Sequence, residues 1–203
     1  MKNVLCYQVS EYDCGPTSLM NALRFLYERD QITPELIKAV GNYTLDNYND
    51  KGEMGRHGTS REVMTFLAYW FNQYGKSHDF PIYAKHLSGP EVCIKEDSEI
   101  VKCLNSGGVT VARVVLEEDP HYILLTGMTE DGRVKVFDPY DLSDRDVIEI
   151  KGTEVTHEEP KVMNRIVDAE IFNTTDEPSY SLGAQELREA MMIFAARELP
   201  WTE

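Results

Sequence analysis

The spacing of apolar residues changes from a helical to a strand period partway along the chain, and this change constrains the fold more than any other feature. In the first hundred residues, apolar positions recur at intervals of three and four, as on one face of a helix. This spacing predicts helices over 15–27, from Thr33 onward, after Thr59 and over 97–104. Runs of β-branched and apolar residues then predict strands over 109–116, 121–128 and 133–138. A helical first half followed by an antiparallel sheet predicts an α+β fold.

Local signals mark several boundaries of these elements. Pro16 suits a first helical position, where a missing backbone N–H costs nothing. Thr33 is predicted to cap a second helix, with Pro34 as its first residue. Thr59 and Glu62 have the spacing of a capping box. The residues 129–132 end in glycine and predict a hairpin turn between the second and third strands.

The remaining segments are less regular, and we expect all of 1–203 to form a single domain. Residues 41–58 and 75–90 are rich in turn-forming residues and predict loops. Over 141–203 the pattern predicts further strands at 147–150 and 166–172 and a C-terminal helix at 184–199. That helix would bury Leu187, Met191, Phe194 and Ala195 on one face.

Charge and hydropathy exclude several classes of function. The chain has 20 basic and 35 acidic residues in 203, a formal net charge of −15. Such a surface repels phosphate backbones and anionic lipids, so we expect no nucleic-acid partner. No stretch approaches the about 20 apolar residues that cross a bilayer. The sequence also has no apolar segment typical of a signal peptide, and therefore predicts a soluble, cytoplasmic protein.

The cysteines and histidines have no metal-binding spacing. The four cysteines fit a reduced intracellular protein as well as a disulfide framework, and a chain of this length does not need disulfides for stability. The five histidines are scattered, and neither a CxxC nor an HxxxH motif is present. We expect neither a metal nor an organic cofactor.

Cys14 stands just before the first turn of the first predicted helix. Backbone N–H groups without partners and the helix dipole favour an anion at this position, so the pKa of a thiol falls there. A thiolate is the reactive form of a cysteine nucleophile. By itself, however, the position is more typical of a small buried residue that only packs.

His121 and Asp138 lie at the outer ends of two successive predicted strands. They are 17 residues apart, with the turn near the middle, so a hairpin would bring both to one end of the sheet. This arrangement suits an imidazole and the carboxylate that orients it. Gln8 lies six residues before Cys14, where its amide could donate to an oxyanion. Taken singly, the histidine, the Asp-Pro turn and the glutamine are common structural features.

Taken together, these motifs resemble peptidase family C39 and its stand-alone relatives. The nucleophile motif is Gln8-Val-Ser-Glu-Tyr-Asp-Cys14-Gly-Pro-Thr-Ser-Leu, and the sequences His121-Tyr-Ile-Leu-Leu and Asp138-Pro follow in the same order as in the family. The resemblance covers about residues 5–140. It implies a papain-like cysteine peptidase with Cys14 as nucleophile, His121 as general base, Asp138 as orienting carboxylate and Gln8 as oxyanion donor. Members linked to transporters remove double-glycine leaders, but this chain has no transporter segments.

The resemblance leads us to predict a hydrolase that cleaves a peptide or isopeptide bond in a peptide or protein substrate. Two alternatives remain open. The same triad could pass the acyl group to an amine, as related papain-like acyltransferases do, because the thioester intermediate is identical. The fold could also serve as a peptide-binding module that has lost activity; in that case Cys14 would react no faster than Cys93 or Cys103.

Overall fold

The structure is a computed structural model that describes residues 3–117, 119–141, 151–175 and 179–201. The helices in these ranges are α1 (Cys14–Leu26), α2 (Pro34–Tyr43), α3 (Arg61–His78), α4 (Glu99–Asn105) and α5 (Ala169–Asn173). The strands are β1 (Tyr83–Ser88), β2 (Val109–Leu116), β3 (Asp119–Met128), β4 (Val134–Phe137), β5 (Thr153–Val155), β6 (Arg165–Val167) and β7 (Glu189–Phe194). Single 3₁₀ turns occur at Gly89–Glu91 and Gln185–Leu187.

The described strands form one seven-stranded antiparallel sheet in the order β1-β7-β2-β3-β4-β6-β5. The predicted strands β2, β3 and β4 are adjacent, as the turn spacing indicates. β3 pairs with β2 so that His121 lies opposite Val114, and it pairs with β4 so that Leu124 lies opposite Phe137. The hairpin therefore brings the start of β3 and the end of β4 to the same end of the sheet.

Both faces of the central sheet are buried. Helices α1, α2 and α3 pack on one face against a set that includes Val111, Leu124 and Met191. Helix α4 covers the other face, against a set that includes Val114 and Met192. The α+β prediction, with N-terminal helices on an antiparallel sheet, is confirmed.

The start of α1 differs slightly from the prediction. The helix begins at Cys14, so that Pro16 is its third residue and not its first. The first four N–H groups of a helix have no intrahelical acceptor, so a proline is tolerated at this position as well. The cap of α3 also differs, because the Ser60 hydroxyl accepts from the Val63 N–H. The Thr59 hydroxyl instead accepts from the N–H of Leu45.

The predicted C-terminal helix over 184–199 is wrong. The segment forms a 3₁₀ turn followed by β7, which lies between β1 and β2. Every residue of β7 is buried, because Met191 and Ile193 face one core cluster while Met192 and Phe194 face the other. A strand buried on both faces has a continuous apolar run, which periodicity cannot distinguish from a buried helix. Leu187, predicted to be in the core, is 54% exposed.

Two further predictions need correction. Residues 75–90 are not a loop, since α3 continues to His78 and β1 follows. Residues 166–172 are not one strand, because β6 ends at Val167 and α5 begins at Ala169. The strand predicted at 147–150 lies outside the described residues. Among the described helices, none combines the length and apolar character that a membrane span requires.

Candidate active site

Cys14 is the first residue of α1, and its side chain is only 7% exposed. The Cys14 thiol lies near the His121 side chain and helps to raise the pKa of its imidazole. The carboxylate of the preceding residue, Asp13, accepts from the N–H groups of Val9 (3.0 Å) and Ser10 (2.7 Å), from the Ser10 hydroxyl (2.5 Å), and from the hydroxyl of Thr17 on α1 (3.3 Å). Partial burial raises the pKa of Asp13, but these hydrogen bonds outweigh it and hold the pKa below its usual value. The segment before Cys14 is therefore held in one conformation by the residue next to it.

His121 lies between the thiol and a buried carboxylate. Its Nε2 donates to Asp138 Oδ1 at 2.7 Å. Burial lowers the pKa of the imidazole, but the charge and hydrogen bond of Asp138, with a smaller contribution from Cys14, raise it to about 10. The site thus favours an imidazolium next to the thiol.

Asp138 is 0% exposed, and both of its carboxylate oxygens accept hydrogen bonds. Oδ1 accepts from His121 and from the Tyr140 N–H (2.9 Å), and Oδ2 accepts from the Tyr180 hydroxyl (2.7 Å). Burial alone would raise the pKa of this carboxyl, but the His121 charge and these donors hold it below the usual value. Asp138 is therefore a buried anion with a complete set of donors.

The helix with Cys14 and the strand with His121 are bonded directly to one another. The buried Ser18 hydroxyl, one turn after Cys14, donates to the carbonyl of Tyr122 at 3.0 Å. On the opposite side of the helix start, Gly15 packs closely against Thr59. A Cβ on Gly15 would lie 2.7 Å from Thr59 Oγ1, so only glycine fits this contact.

The backbone of Gln8 is close to the turn after Asp138, but its amide makes no bond to Cys14. Its N–H donates to the Pro139 carbonyl at 2.8 Å. Its Nε2 donates to the Ser10 carbonyl at 2.8 Å, and its Oε1 is buried without a hydrogen-bond partner. The structure therefore brings together Cys14, His121 and Asp138, and places Gln8 on the neighbouring segment with its side chain engaged locally.

Cys14 opens onto a cleft with a volume of about 440 Å³. One wall is the loop and helix start at 56–62, and strands β2 and β3 contribute Arg113 and Tyr122. Leu187 and Glu189, from the segment wrongly predicted as a helix, also line the cleft. The exposure of Leu187 is explained by this position, because the residue faces the cleft and not the core.

Glu189 forms a second polar cluster on the wall of this cleft. It is 3% exposed, and its Oε1 accepts from the Tyr122 hydroxyl at 2.9 Å. Arg113 lies 3.7 Å from Oε1, while Arg61 (3.8 Å) and His86 (3.3 Å) lie near Oε2. Through these contacts the Glu189 carboxylate links its own strand, β7, to β1, β2, β3 and the start of α3, and it lines the same cleft as Cys14.

Sequence reasoning missed Tyr180, Asn164 and Glu189. Tyr180 follows a short polar segment and has no pattern that marks it as buried. Asn164 donates to the Asp138 carbonyl (2.7 Å) and accepts from its N–H (2.8 Å), but it precedes only three residues of strand. Glu189 was placed on a helix, where its partners on neighbouring strands could not be foreseen. In the described ranges, no three histidine, cysteine or acidic side chains cluster as a metal site would require.

Comparison with known proteins identifies the family of this chain and finds solved structures that are similar to it. A sequence model of the Peptidase_C39 like family matches residues 2–159. The peptidase domain of Streptococcus mutans ComA is similar in structure, with 13% identity and a TM-score of 0.42 over 94% of this chain and 98% of that domain. No curated protein matches the sequence.

Proposed function

Because the chain belongs to the Peptidase_C39 like family, we propose that it is a cysteine hydrolase that cleaves a peptide or isopeptide bond. Its substrate is a peptide or a protein segment that enters the cleft beside Cys14. The nucleophile is the Cys14 thiolate, His121 is the general base and acid, and Asp138 orients the imidazole. A cytoplasmic location and a single domain over residues 1–203 are part of the proposal, the latter because β7 pairs with both β1 and β2.

The proposed reaction has two halves. The Cys14 thiolate attacks the carbonyl carbon, the C–N bond breaks, and the leaving amine takes a proton from the His121 imidazolium. Water then attacks the thioester while His121 accepts its proton, which releases the acid and restores the thiol. Asp138 stays ionised throughout and stabilises the imidazolium in each half.

The oxyanion of each tetrahedral intermediate needs donors close to Cys14. The backbone N–H of Cys14 is at a helix start, where it has no intrahelical acceptor. The second proposed donor is Gln8 Nε2, which uses one hydrogen for Ser10 and has a second available. Because Gln8 Oε1 has no partner, turning the amide toward the substrate breaks only the bond to Ser10.

The observation that supports this proposal most strongly is the convergence of three side chains: His121 is hydrogen-bonded to Asp138 at 2.7 Å, and the Cys14 thiol lies close enough to help raise the pKa of the imidazole. A cysteine that only packs needs no imidazole beside it, and a buried imidazole that is only structural needs no raised pKa. The raised pKa of His121, to about 10, fits a thiolate–imidazolium pair at neutral pH.

The direct experiment compares the alkylation rates of the free cysteines with iodoacetamide by peptide mapping. Exposure alone predicts that the exposed Cys6 reacts faster than the buried Cys14. The proposal predicts the reverse at pH 6, where an ordinary thiol with a pKa of about 8.5 is almost fully protonated. A Cys14 rate below that of Cys6 across the whole pH range would contradict the proposal.

Turnover is tested with a mixture of peptides analysed by mass spectrometry. The wild-type protein and a Cys6→Ala control should produce the same cleavage products, whereas Cys14→Ala should produce none. Repeating the assay with an added primary amine detects transfer of the acyl group to that amine in place of water. Loss of cleavage in Cys6→Ala but not in Cys14→Ala would overturn the assignment of the nucleophile.

A further inference from the structure

Asp138 is held by residues that come late in the chain, in the part beyond the family match at 2–159. Asn164 makes two hydrogen bonds to the Asp138 backbone, as donor to its carbonyl at 2.7 Å and as acceptor from its N–H at 2.8 Å. Asn164 itself is 2% exposed. These two bonds fix the backbone of Asp138 in the manner of a neighbouring strand residue.

Tyr180 holds the carboxylate end of the same residue. Its hydroxyl donates to Oδ2 at 2.7 Å, and its ring is 0% exposed. Tyr180 has a φ of +64°, which is unusual for a residue with a bulky side chain. A strained conformation of this kind persists only where the surrounding structure imposes it. In this conformation the Tyr180 hydroxyl reaches Oδ2, the carboxylate oxygen that is not bonded to His121.

We propose that Tyr180 and Asn164 are positioning residues of the catalytic site: they set the rotation and the ionisation of Asp138 and thereby orient His121. This inference rests on the proposed cysteine hydrolase. Neither residue lines the cleft beside Cys14, and the hydrogen bonds of both to Asp138 connect them to His121.

The physical reason lies in the separate roles of the two oxygens. Oδ1 already accepts from His121 and from the Tyr140 N–H, so it defines one point of the carboxylate. The hydrogen bond from the Tyr180 hydroxyl holds Oδ2 as well. With both oxygens held, the carboxylate does not rotate about the Cβ–Cγ bond. Without that donor, Oδ2 would be a buried anionic oxygen with no partner, which favours protonation of the carboxyl.

Other charged and titratable groups around this pair come from three elements. His121 on β3 and Cys14 on α1 form the reactive pair itself. The charge of Arg165 on β6 lies near the Tyr180 hydroxyl and opposes the effect of burial on its pKa. Burial and the Asp138 charge nevertheless raise the pKa of Tyr180 well above its usual value, so the phenol keeps its proton and remains a donor.

The variant Tyr180→Phe removes the donor and keeps the ring. We expect the acid limb of the pH profile for Cys14 alkylation to move up by about one pH unit, because Asp138 takes a proton at a higher pH. The matched control is Tyr27→Phe, which removes a hydroxyl that is also bonded at 2.7 Å, but to the Pro81 carbonyl. The control should leave the acid limb in place.

A second readout separates positioning from stability. In steady-state assays, Tyr180→Phe and Asn164→Ala should lower kcat by about tenfold and leave KM within twofold, because substrate contacts are unchanged. The control Asn72→Ala breaks an equivalent pair of bonds, to the N–H and carbonyl of Ala84 on β1, at 2.7 Å each. It should leave kcat unchanged even where it lowers the free energy of unfolding.

The outcomes distinguish this inference from the function on which it rests. If wild-type Cys14 is no more reactive than Cys6 at pH 6, the proposed function fails. If wild-type Cys14 is reactive and Tyr180→Phe has the same acid limb and the same kcat as Tyr27→Phe, the positioning inference fails and Tyr180 is only a core residue. A shifted limb together with reduced kcat supports it.

Discussion

The Ser18 hydroxyl donates a 3.0 Å hydrogen bond to the backbone carbonyl of Tyr122, so that helix α1 is bonded to the residue next to His121. The thiol and the imidazole belong to elements more than a hundred residues apart in sequence. This bond helps to fix the position of α1 relative to β3 close to the residues Cys14 and His121. The distance between Cys14 and His121 therefore depends on a side chain that takes no part in the chemistry.

Replacing Ser18 by alanine should weaken catalysis through the relative position of α1 and β3. We expect kcat to fall by about tenfold and the free energy of unfolding by about 1–3 kcal/mol, because the Tyr122 carbonyl loses its buried donor. The control Ser77→Ala removes a hydroxyl that bonds to the Tyr74 carbonyl within α3. Urea unfolding and steady-state kinetics measure the two effects, and equal kcat in both variants would contradict the prediction.

Gly15→Ala should disturb the start of α1, because the new methyl group would lie 2.7 Å from Thr59 Oγ1. Overpacking of this kind costs about 1–3 kcal/mol of unfolding free energy. The double variant with Thr59→Ala removes that oxygen and should recover part of the loss, as a double-mutant cycle detects. Gly41→Ala is the matched control, since its methyl group meets no atom within 4 Å on α2 and should be neutral or stabilising.

The pairing of His121 with Asp138 predicts a particular dependence of stability on pH. The folded-state pKa of His121 is raised to about 10, so its contribution is complete below the unfolded value of about 6.5 and is lost as pH rises toward 10. The pKa of Asp138 is lowered, so its contribution is present above the unfolded value of about 3.9 and is lost at still lower pH. The free energy of unfolding should therefore decline from pH 7 to pH 10, and His121→Gln should show a smaller decline.

Asp138→Asn tests the charge of the carboxylate while keeping its shape. The amide oxygen can take the place of Oδ1 and accept from His121, and the Tyr180 hydroxyl can turn to accept from the new NH₂ group. Because the imidazolium loses its counter-charge, the ion pair that favours the Cys14 thiolate becomes weaker. The lower limb of the Cys14 alkylation profile should then move to higher pH. If Asp138→Asn leaves both the lower limb of the Cys14 alkylation profile and the turnover unchanged, the prediction is contradicted and Asp138 is only a turn residue before Pro139.

Glu189→Gln should destabilise the cleft wall by about 1–3 kcal/mol of unfolding free energy, because Arg61 and Arg113 lose a buried counter-charge. The glutamine oxygen still accepts from the Tyr122 hydroxyl, so the strand contact remains. Glu154→Gln is the control, since it breaks an exposed ion pair with Arg133 and should change stability by less than about 1 kcal/mol. Chemical denaturation that gives equal losses for both variants would contradict the prediction.

The sequence correctly predicts elements whose type depends on neighbouring residues. It fails for elements whose type depends on pairing with strands that are distant in the chain. The 17-residue spacing from His121 to Asp138 suffices to bring the two side chains together, because a single hairpin joins them. β7 was predicted as a helix because its partners, β1 and β2, lie far away in sequence and bury both of its faces. Tyr180 reaches Asp138 through a positive φ, which no residue type at that position signals. The catalytic roles of Cys14, His121, Asp138 and Gln8 stay predictions.

The position of β7 also has a consequence for the order in which the chain is synthesised. β7 lies between β1 and β2, yet the ribosome makes it more than seventy residues after β2. Until residues 189–194 leave the exit tunnel, β1 and β2 have unpaired edges, and Asn164 and Tyr180 become available only shortly before. The nascent polypeptide therefore contains Cys14, His121 and Asp138 before it contains Asn164, Tyr180 and the strand that completes the sheet.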